Sequence, residues 1–192
     1  MPQPDKITAL AHPDPEGETL ETDLQAYYDK CREKLGLVPN VLKAYALRPR
    51  KLRTFIALYN ELMLGDSGLT KLEREMIAVV VSSANRCYYC LVAHGQAVRR
   101  LSGDPQLGEM LVMNWRIADL PHRQRSMLAF AWKLTTEPHA VDEADRQSLR
   151  DVGFGDEDIF DIADVAGFFN MSNRVASGID MMPNPDYHAM DR

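Results

Sequence analysis

Apolar positions recur with helical spacing along nearly the whole chain, and no stretch alternates in the two-residue manner of a half-buried strand. Leu20 to Leu35 reads as a helix stopped by Gly36. Leu37-Val38-Pro39-Asn40 makes a turn in which Asn40 is placed to cap the next helix, Val41 to Leu47. After Pro49 an amphipathic helix runs from about Lys51 to Leu64 and ends in the loop Gly65-Asp66-Ser67-Gly68. Thr70 and Glu73 have capping-box spacing and open a helix from Lys71 to Ser83. Cys87 to Leu101 follows the break at Asn85-Arg86, and Gln106 to Ala118 follows Gly103-Asp104-Pro105. Pro121 starts a helix that reaches Thr135 before Pro138 ends it. Asp142 to Val152 and Glu157 to Ser177 are the last two. The pattern predicts an all-α protein: an extended N-terminal segment 1–19, a single helical domain over 20–182, and a C-terminal tail 183–192 that is extended and either packs or frays.

Sliding the chain by 51 residues aligns REMIAVVV from Arg74 with RSMLAFAW from Arg125, and AHGQAVRR from Ala93 with ADRQSLRD from Ala144. Seven of the 33 positions from Leu69 to Leu101 are identical, which points to an internally duplicated helical core; shared helical periodicity is the alternative source of the match. The reactive residues of the first copy are not repeated. Glu75, Cys87, Cys90 and His94 face Ser126, Pro138, Val141 and Asp145, the pattern of one active and one structural copy.

The chemistry concentrates in Cys87-Tyr88-Tyr89-Cys90 and His94. At ~100° per residue, positions 87, 90 and 94 fall within an arc of about 60°, so one helix face presents two sulfurs and an imidazole. The pair stands at a helix start, where unpaired N–H groups and the positive dipole end favour a thiolate. Glu75, embedded before the run Met76 to Val81, is either on a solvated stripe or held inward with a raised pKa. Glu73 is its nearest competitor and is accounted for by the capping box. Cys-x-x-Cys-x-x-x-His also offers three zinc ligands, but no second cluster stands nearby to close a structural site, and no metal is expected. Inert core cysteines are the remaining alternative.

Composition narrows the setting. Lys plus Arg total 22 against 28 Asp plus Glu, so the net charge of −6 argues against a binder of nucleic acid or anionic membranes. The apolar run Met76 to Val81 is far too short to span a bilayer, the polar, Pro-rich first residues carry no secretory pattern, and three cysteines do not make a disulfide scaffold. A cytoplasmic protein is the expectation.

Glu75, eleven intervening residues, Cys87-x-Tyr89-Cys90, three more and His94 resemble the E-x11-C-x-x-C-x3-H signature of the AhpD-like family, within the carboxymuconolactone decarboxylase superfamily. The stretches LGLVPNVLKAYAL, LTKLEREMIAVVVSSANRCYYCLVAHG, LAFAWKLTTEPHAV and FFNMSNRVA resemble its peroxidase-related branch, and the likeness runs from about Leu20 to Gly178. The resemblance implies an AhpD-like all-α fold with a duplicated core, assembled as a homo-oligomer, trimer or hexamer. It implies a dithiol peroxidase that needs no cofactor and takes a peroxide substrate and a thiol or dithiol electron donor. Carried over residue by residue, Cys90 is the peroxidatic and Cys87 the resolving cysteine, with Glu75 and His94 as proton relay; helix-start chemistry alone favours Cys87 as the thiolate. AhpD itself has His where Tyr89 stands, and a phenol does not carry protons near neutrality as imidazole does, so Tyr89 reads as a supporting residue. The decarboxylase branch lacks the Cys pair.

Two other functions compete with the peroxidase: a general disulfide oxidoreductase acting on a protein or lipoyl partner, and a non-enzymatic redox-responsive module. All three require the two sulfurs to lie within joining distance, and turnover requires an opening to them. Cys31 reads as packing, Asn170 and Asn173, three apart on the last helix, as helix surface by default with facing the site as the alternative, and His12, His122, His139 and His188 as residues in or near loops without obvious partners.

Overall fold

The computed structural model describes residues 3–12, 14 and 16–192. Among these residues the chain forms nine α-helices and no strand: α1 Thr22–Leu35, α2 Asn40–Tyr45, α3 Pro49–Leu64, α4 Lys71–Ala84, α5 Tyr88–Ser102, α6 Pro105–Asn114, α7 His122–Thr136, α8 Glu143–Arg150 and α9 Asp156–Gly178. The all-α expectation and the order of the helices hold.

The fold is organised around α4. Every residue from Met76 to Val81 is fully buried, because α5, α6, α7 and α9 pack around this helix. Three consecutive valines disfavour a helix on propensity alone, so α4 is held by what surrounds it and by its start. That start is the expected capping box: the Thr70 side chain accepts from Glu73 N–H, and Glu73 Oε2 accepts from Thr70 N–H at 2.9 Å. Arg74 is buried as well. Its guanidinium donates to the Leu69 carbonyl (3.0 and 3.2 Å) and to the Leu62 carbonyl (3.2 Å), satisfying an orphan acceptor in the last turn of α3.

The two copies of the suggested repeat correspond to α4–α5 and α7–α8, and α4 packs directly on α7. The second copy is cut short. Residues Pro138–Ala140 form a 3₁₀ turn where α5 begins in the first copy, and α8 is only eight residues long. Asp145, the counterpart of His94, completes a capping box with Asp142 and bonds Lys133 at 2.6 Å.

Several local expectations are corrected. Asn40 does not cap α2; it is the first helical residue, and its N–H donates to Asn184 Oδ1 at 2.8 Å while its amide donates to Met182 O at 2.9 Å. The cap therefore comes from the tail, 144 residues away. Helix α6 ends at Asn114 rather than Ala118, because the extended backbone of Asn114 lets its side chain accept from Arg116 N–H and start a 3₁₀ turn, Trp115–Ile117. The tail is not extended: it forms the 3₁₀ turn Pro185–His188, buries Tyr187, and is pinned by Arg99 Nη2 donating to the carbonyls of Tyr187 (2.8 Å) and Met190 (3.0 Å). His12 and His188 do have partners, Thr8 Oγ1 at 2.6 Å and the Tyr88 hydroxyl at 3.2 Å.

Because Ile77 is fully enclosed, Ile77→Ala is expected to destabilise the fold by about 2–5 kcal/mol, whereas a change at exposed Glu33 is expected to stay within about 0.5 kcal/mol. Urea unfolding checks both, through a lowered midpoint for the first and an unchanged one for the second.

Candidate active site

The turn from α4 to α5 delivers the first cysteine. Arg86 takes a left-handed conformation (φ 55°), Cys87 N–H bonds Ser82 O at 3.0 Å and Arg86 N–H bonds Ser83 O at 3.1 Å, which is a Schellman-type ending with Arg where Gly is usual. Cys87 is thereby the residue just after α4 and the N-cap of α5. Cys90 stands in the first turn of α5, and His94 follows one turn later.

Glu75 points inward. Its Oε2 lies 2.6 Å from His94 Nδ1, and the two side chains are only 11% and 12% exposed. With the carboxylate ionised, Nδ1–H donates to it and Nε2 is left for the site. The edge of Phe169 closes on the imidazole (centroids 4.6 Å apart, planes at 79°), fixing the ring from the α9 side.

Cys87 and Cys90 are buried together in one cluster, and their surroundings divide the charge between them. The Cys87 thiol is lowered to about 6, first by the hydrogen bond from Cys90, then by the Cys90 backbone N–H, the Ser177 side chain and the His94 charge, all working against burial. Cys90 is pushed far up, first as the donor to Cys87 and next by burial; Ser172 and Asn173 oppose this by facing its sulfur. The direction of these shifts favours the thiolate on Cys87, as helix-start chemistry does, whereas the resemblance implies Cys90 as the attacking sulfur.

Asn173 is not helix surface. It is 1% exposed, donates to Ser82 Oγ at 2.9 Å and accepts from Asn85 Nδ2 at 2.9 Å, so it ties α9 to the end of α4 beside the second cysteine. Asn170 accepts from the same Asn85 amide at 3.0 Å. Their three-residue spacing on α9 was visible in the sequence; their partners were not. Tyr89 takes no part in a relay, since its hydroxyl accepts from Val41 N–H at 3.1 Å, filling an orphan donor of α2. Cys31 lies on α1, away from the pair but in the wall of the cavity described next.

That cavity, of about 370 Å³, opens beside the dyad and is lined by Glu75, His94, Ser172 and a group of aromatic side chains. Neither Cys87 nor Cys90 is in its wall, and both are buried (2% and 1% exposed). Ser172, which lines the cavity and faces the Cys90 sulfur, is the side chain between them. Met181 shares the buried cluster of the two cysteines, and Ile7 and Ile179 pack against it. Backbone bonds Ala9 N–H to Ile179 O and Met182 N–H to Ile7 O, both 2.9 Å, hold these segments together with the Lys6–Asp180 ion pair. Among the described residues, no group of three or more His, Cys, Asp or Glu converges to hold a metal, and no helix is long and apolar enough to cross a membrane.

Comparison with known proteins places this geometry in a family. A family model, the carboxymuconolactone decarboxylase family, matches residues 49–106. The crystal structure of an uncharacterized peroxidase-related protein from Silicibacter sp. TM1040 is 61% identical over 100% of both chains, with a TM-score of 0.95. Another, from Ralstonia eutropha JMP134 and described as an alkylhydroperoxidase AhpD core, is 43% identical over 98% of both chains, with a TM-score of 0.94. The debrominase Bmp8, solved in complex with 2,3,4-tribromopyrrole, is 19% identical over 97% of this chain and 96% of its own (TM-score 0.77) and shares the fold. Among curated proteins none matches. On these likenesses the chain belongs to the AhpD-like group of the carboxymuconolactone decarboxylase superfamily.

Proposed function

We propose that the protein is a thiol-dependent peroxidase that reduces hydrogen peroxide or organic hydroperoxides through a Cys87–Cys90 dithiol–disulfide cycle. The observation that carries this reading is the Cys87–Cys90 pair buried in one cluster, with Cys87 lowered to about 6, near a buried carboxylate–imidazole pair in 2.6 Å contact. Cys87 thiolate attacks the peroxide, ROOH. The O–O bond breaks, the sulfur is oxidised to a sulfenic acid, and the alkoxide leaving group takes a proton through His94, whose charge Glu75 stabilises. Cys90 then attacks the Cys87 sulfur, its proton leaves with the hydroxide as water, and a disulfide remains. An external dithiol reduces that disulfide and is itself oxidised.

Burial favours this reading over exchange with a protein disulfide. A folded partner cannot bring a disulfide to sulfurs that are 1–2% exposed, whereas a small peroxide fits the neighbouring cavity, from which the Ser172 side chain separates Cys90. Assembly as a homo-oligomer belongs to the proposal, and the exposed Met113, Ile117 and Phe160 supply apolar surface for it.

The thiolate absorbance of the reduced protein is expected to rise with pH around a midpoint near 6, so that Cys87 is mostly ionised at neutrality and peroxide reduction slows as pH falls below that value. In Cys90→Ala the donated hydrogen bond is gone, and the midpoint is expected to climb towards the ordinary thiol value of ~8.5. Glu75→Gln keeps an acceptor for His94 but removes the charge, with an expected loss of about 10²–10⁴-fold in kcat/KM at unchanged fold stability, read by steady-state peroxide assay and thermal melting. Replacing both Cys87 and Cys90 with Ser is expected to abolish peroxide turnover. Undiminished turnover by that variant overturns the proposal.

A further inference from the structure

The cavity beside the dyad has two ends of different chemistry. Its body is apolar and aromatic, walled by Phe55, Phe168 and Phe169, with Phe55 and Phe168 centroids 5.5 Å apart and Phe168 and Phe169 centroids 5.2 Å apart. Its volume of about 370 Å³ is that of a small-molecule site. At the inner end stand Glu75 and His94. Tyr59 and Tyr187 also line it, both feel the Glu75 charge, and neither hydroxyl has a hydrogen-bond partner among the described residues. Two phenols without protein partners in the wall of a cavity are groups waiting for a ligand oxygen.

The outer end is cationic. Lys71 and Arg100 are exposed, line the same cavity and take no part in an ion pair among the described residues, in a chain whose net charge is −6. Helices α4 and α5 form a hairpin, so both residues lie on the side away from the turn that carries the cysteines. Lys71 is four residues before Glu75 and Arg100 six after His94, displacements of roughly 6 and 9 Å along the two helix axes. The exposed Leu64 and Leu101 complete an apolar rim around these two charges. A polar inner end, an apolar body and a cationic mouth match an amphipathic anion.

We propose that this cavity binds an amphipathic monocarboxylate, with its apolar body between the aromatic walls and its carboxylate between Lys71 and Arg100. Resting on the peroxidase reading, the peroxide substrate is then the hydroperoxide of such an acid, held with its O–O group at the inner end beside Glu75, His94 and Ser172, the side of the cavity nearest the cysteine pair. Turnover converts it to the hydroxy acid and water while the Cys pair becomes a disulfide, and a dithiol donor restores the pair.

The site is tested without any redox step, by calorimetric titration of the reduced protein with octanoate and with 1-octanol as the neutral control. Octanoate is expected to bind once per chain. Lys71→Ala combined with Arg100→Ala is expected to weaken octanoate at least tenfold and 1-octanol less than twofold. Ala97→Phe, which fills the cavity from its wall, is expected to weaken both at least tenfold. Independently of that variant's folding, octanoate is expected to slow alkylation of Cys31 by N-ethylmaleimide several-fold in the wild type, because Cys31 lines the same wall. No octanoate binding, equal binding by the charge-deleted variant, or no protection of Cys31 overturns the site. For the substrate, the omega-hydroperoxide of octanoic acid is expected to exceed its methyl ester at least tenfold in kcat/KM, and an equal rate overturns that assignment. Octanoate binding with every expected variant effect but no turnover of either hydroperoxide or of hydrogen peroxide upholds the site and overturns the peroxidase reading.

Discussion

A carboxylate set inside an apolar helix must find a partner or lose its charge, and the contact between Glu75 and His94 settles that requirement. It also determines where the chemistry sits. Glu75 is held on the most enclosed helix of the fold, so its position is as rigid as the core itself, and His94 is drawn to it from α5. Nδ1 is taken up by the carboxylate and one face of the ring by Phe169, which leaves the other nitrogen with little freedom to wander. The capping box, the buried Arg74 and the Schellman-type turn at Arg86 all serve to keep α4 and α5 in this relation.

The same turn sets the asymmetry of the thiols. Cys87 sits outside the helix and collects donors: a thiol, a backbone N–H and a serine side chain. Cys90, inside the helix and more enclosed, keeps its proton and turns it towards that neighbour. Both are buried: the aromatic cavity ends at Ser172, which faces the Cys90 sulfur, and the paired segments around Ile7 and Ile179 pack against the same cysteine cluster.

Much of this was legible along the chain, because helices announce themselves through local periodicity and caps. The box at Thr70 and Glu73 and the break at Asn85-Arg86 are short-range features found where the pattern puts them, while Cys87, read as part of the same helix face as Cys90 and His94, stands just outside α5 as its N-cap. The spacing of Glu75 could not say whether it faced solvent or core; only packing against α5 and α9 decides that. What stayed hidden depends on contacts between residues far apart in the chain. Asn184 caps α2 from the tail, Asn173 reaches Ser82 across 91 positions, and Tyr187 joins the cavity wall from a segment with no periodicity of its own. The order of the cysteines was likewise open, since it is set by side chains of α9 and by the geometry of one turn rather than by the motif.

The most direct test of the central claim is to trap the oxidised sulfur. When reduced Cys90→Ser protein is mixed with one equivalent of hydroperoxide in the presence of dimedone and analysed by peptide mass spectrometry, the account requires a single sulfenic-acid adduct on Cys87. An unlabelled Cys87, or an adduct confined to Cys31, would contradict it.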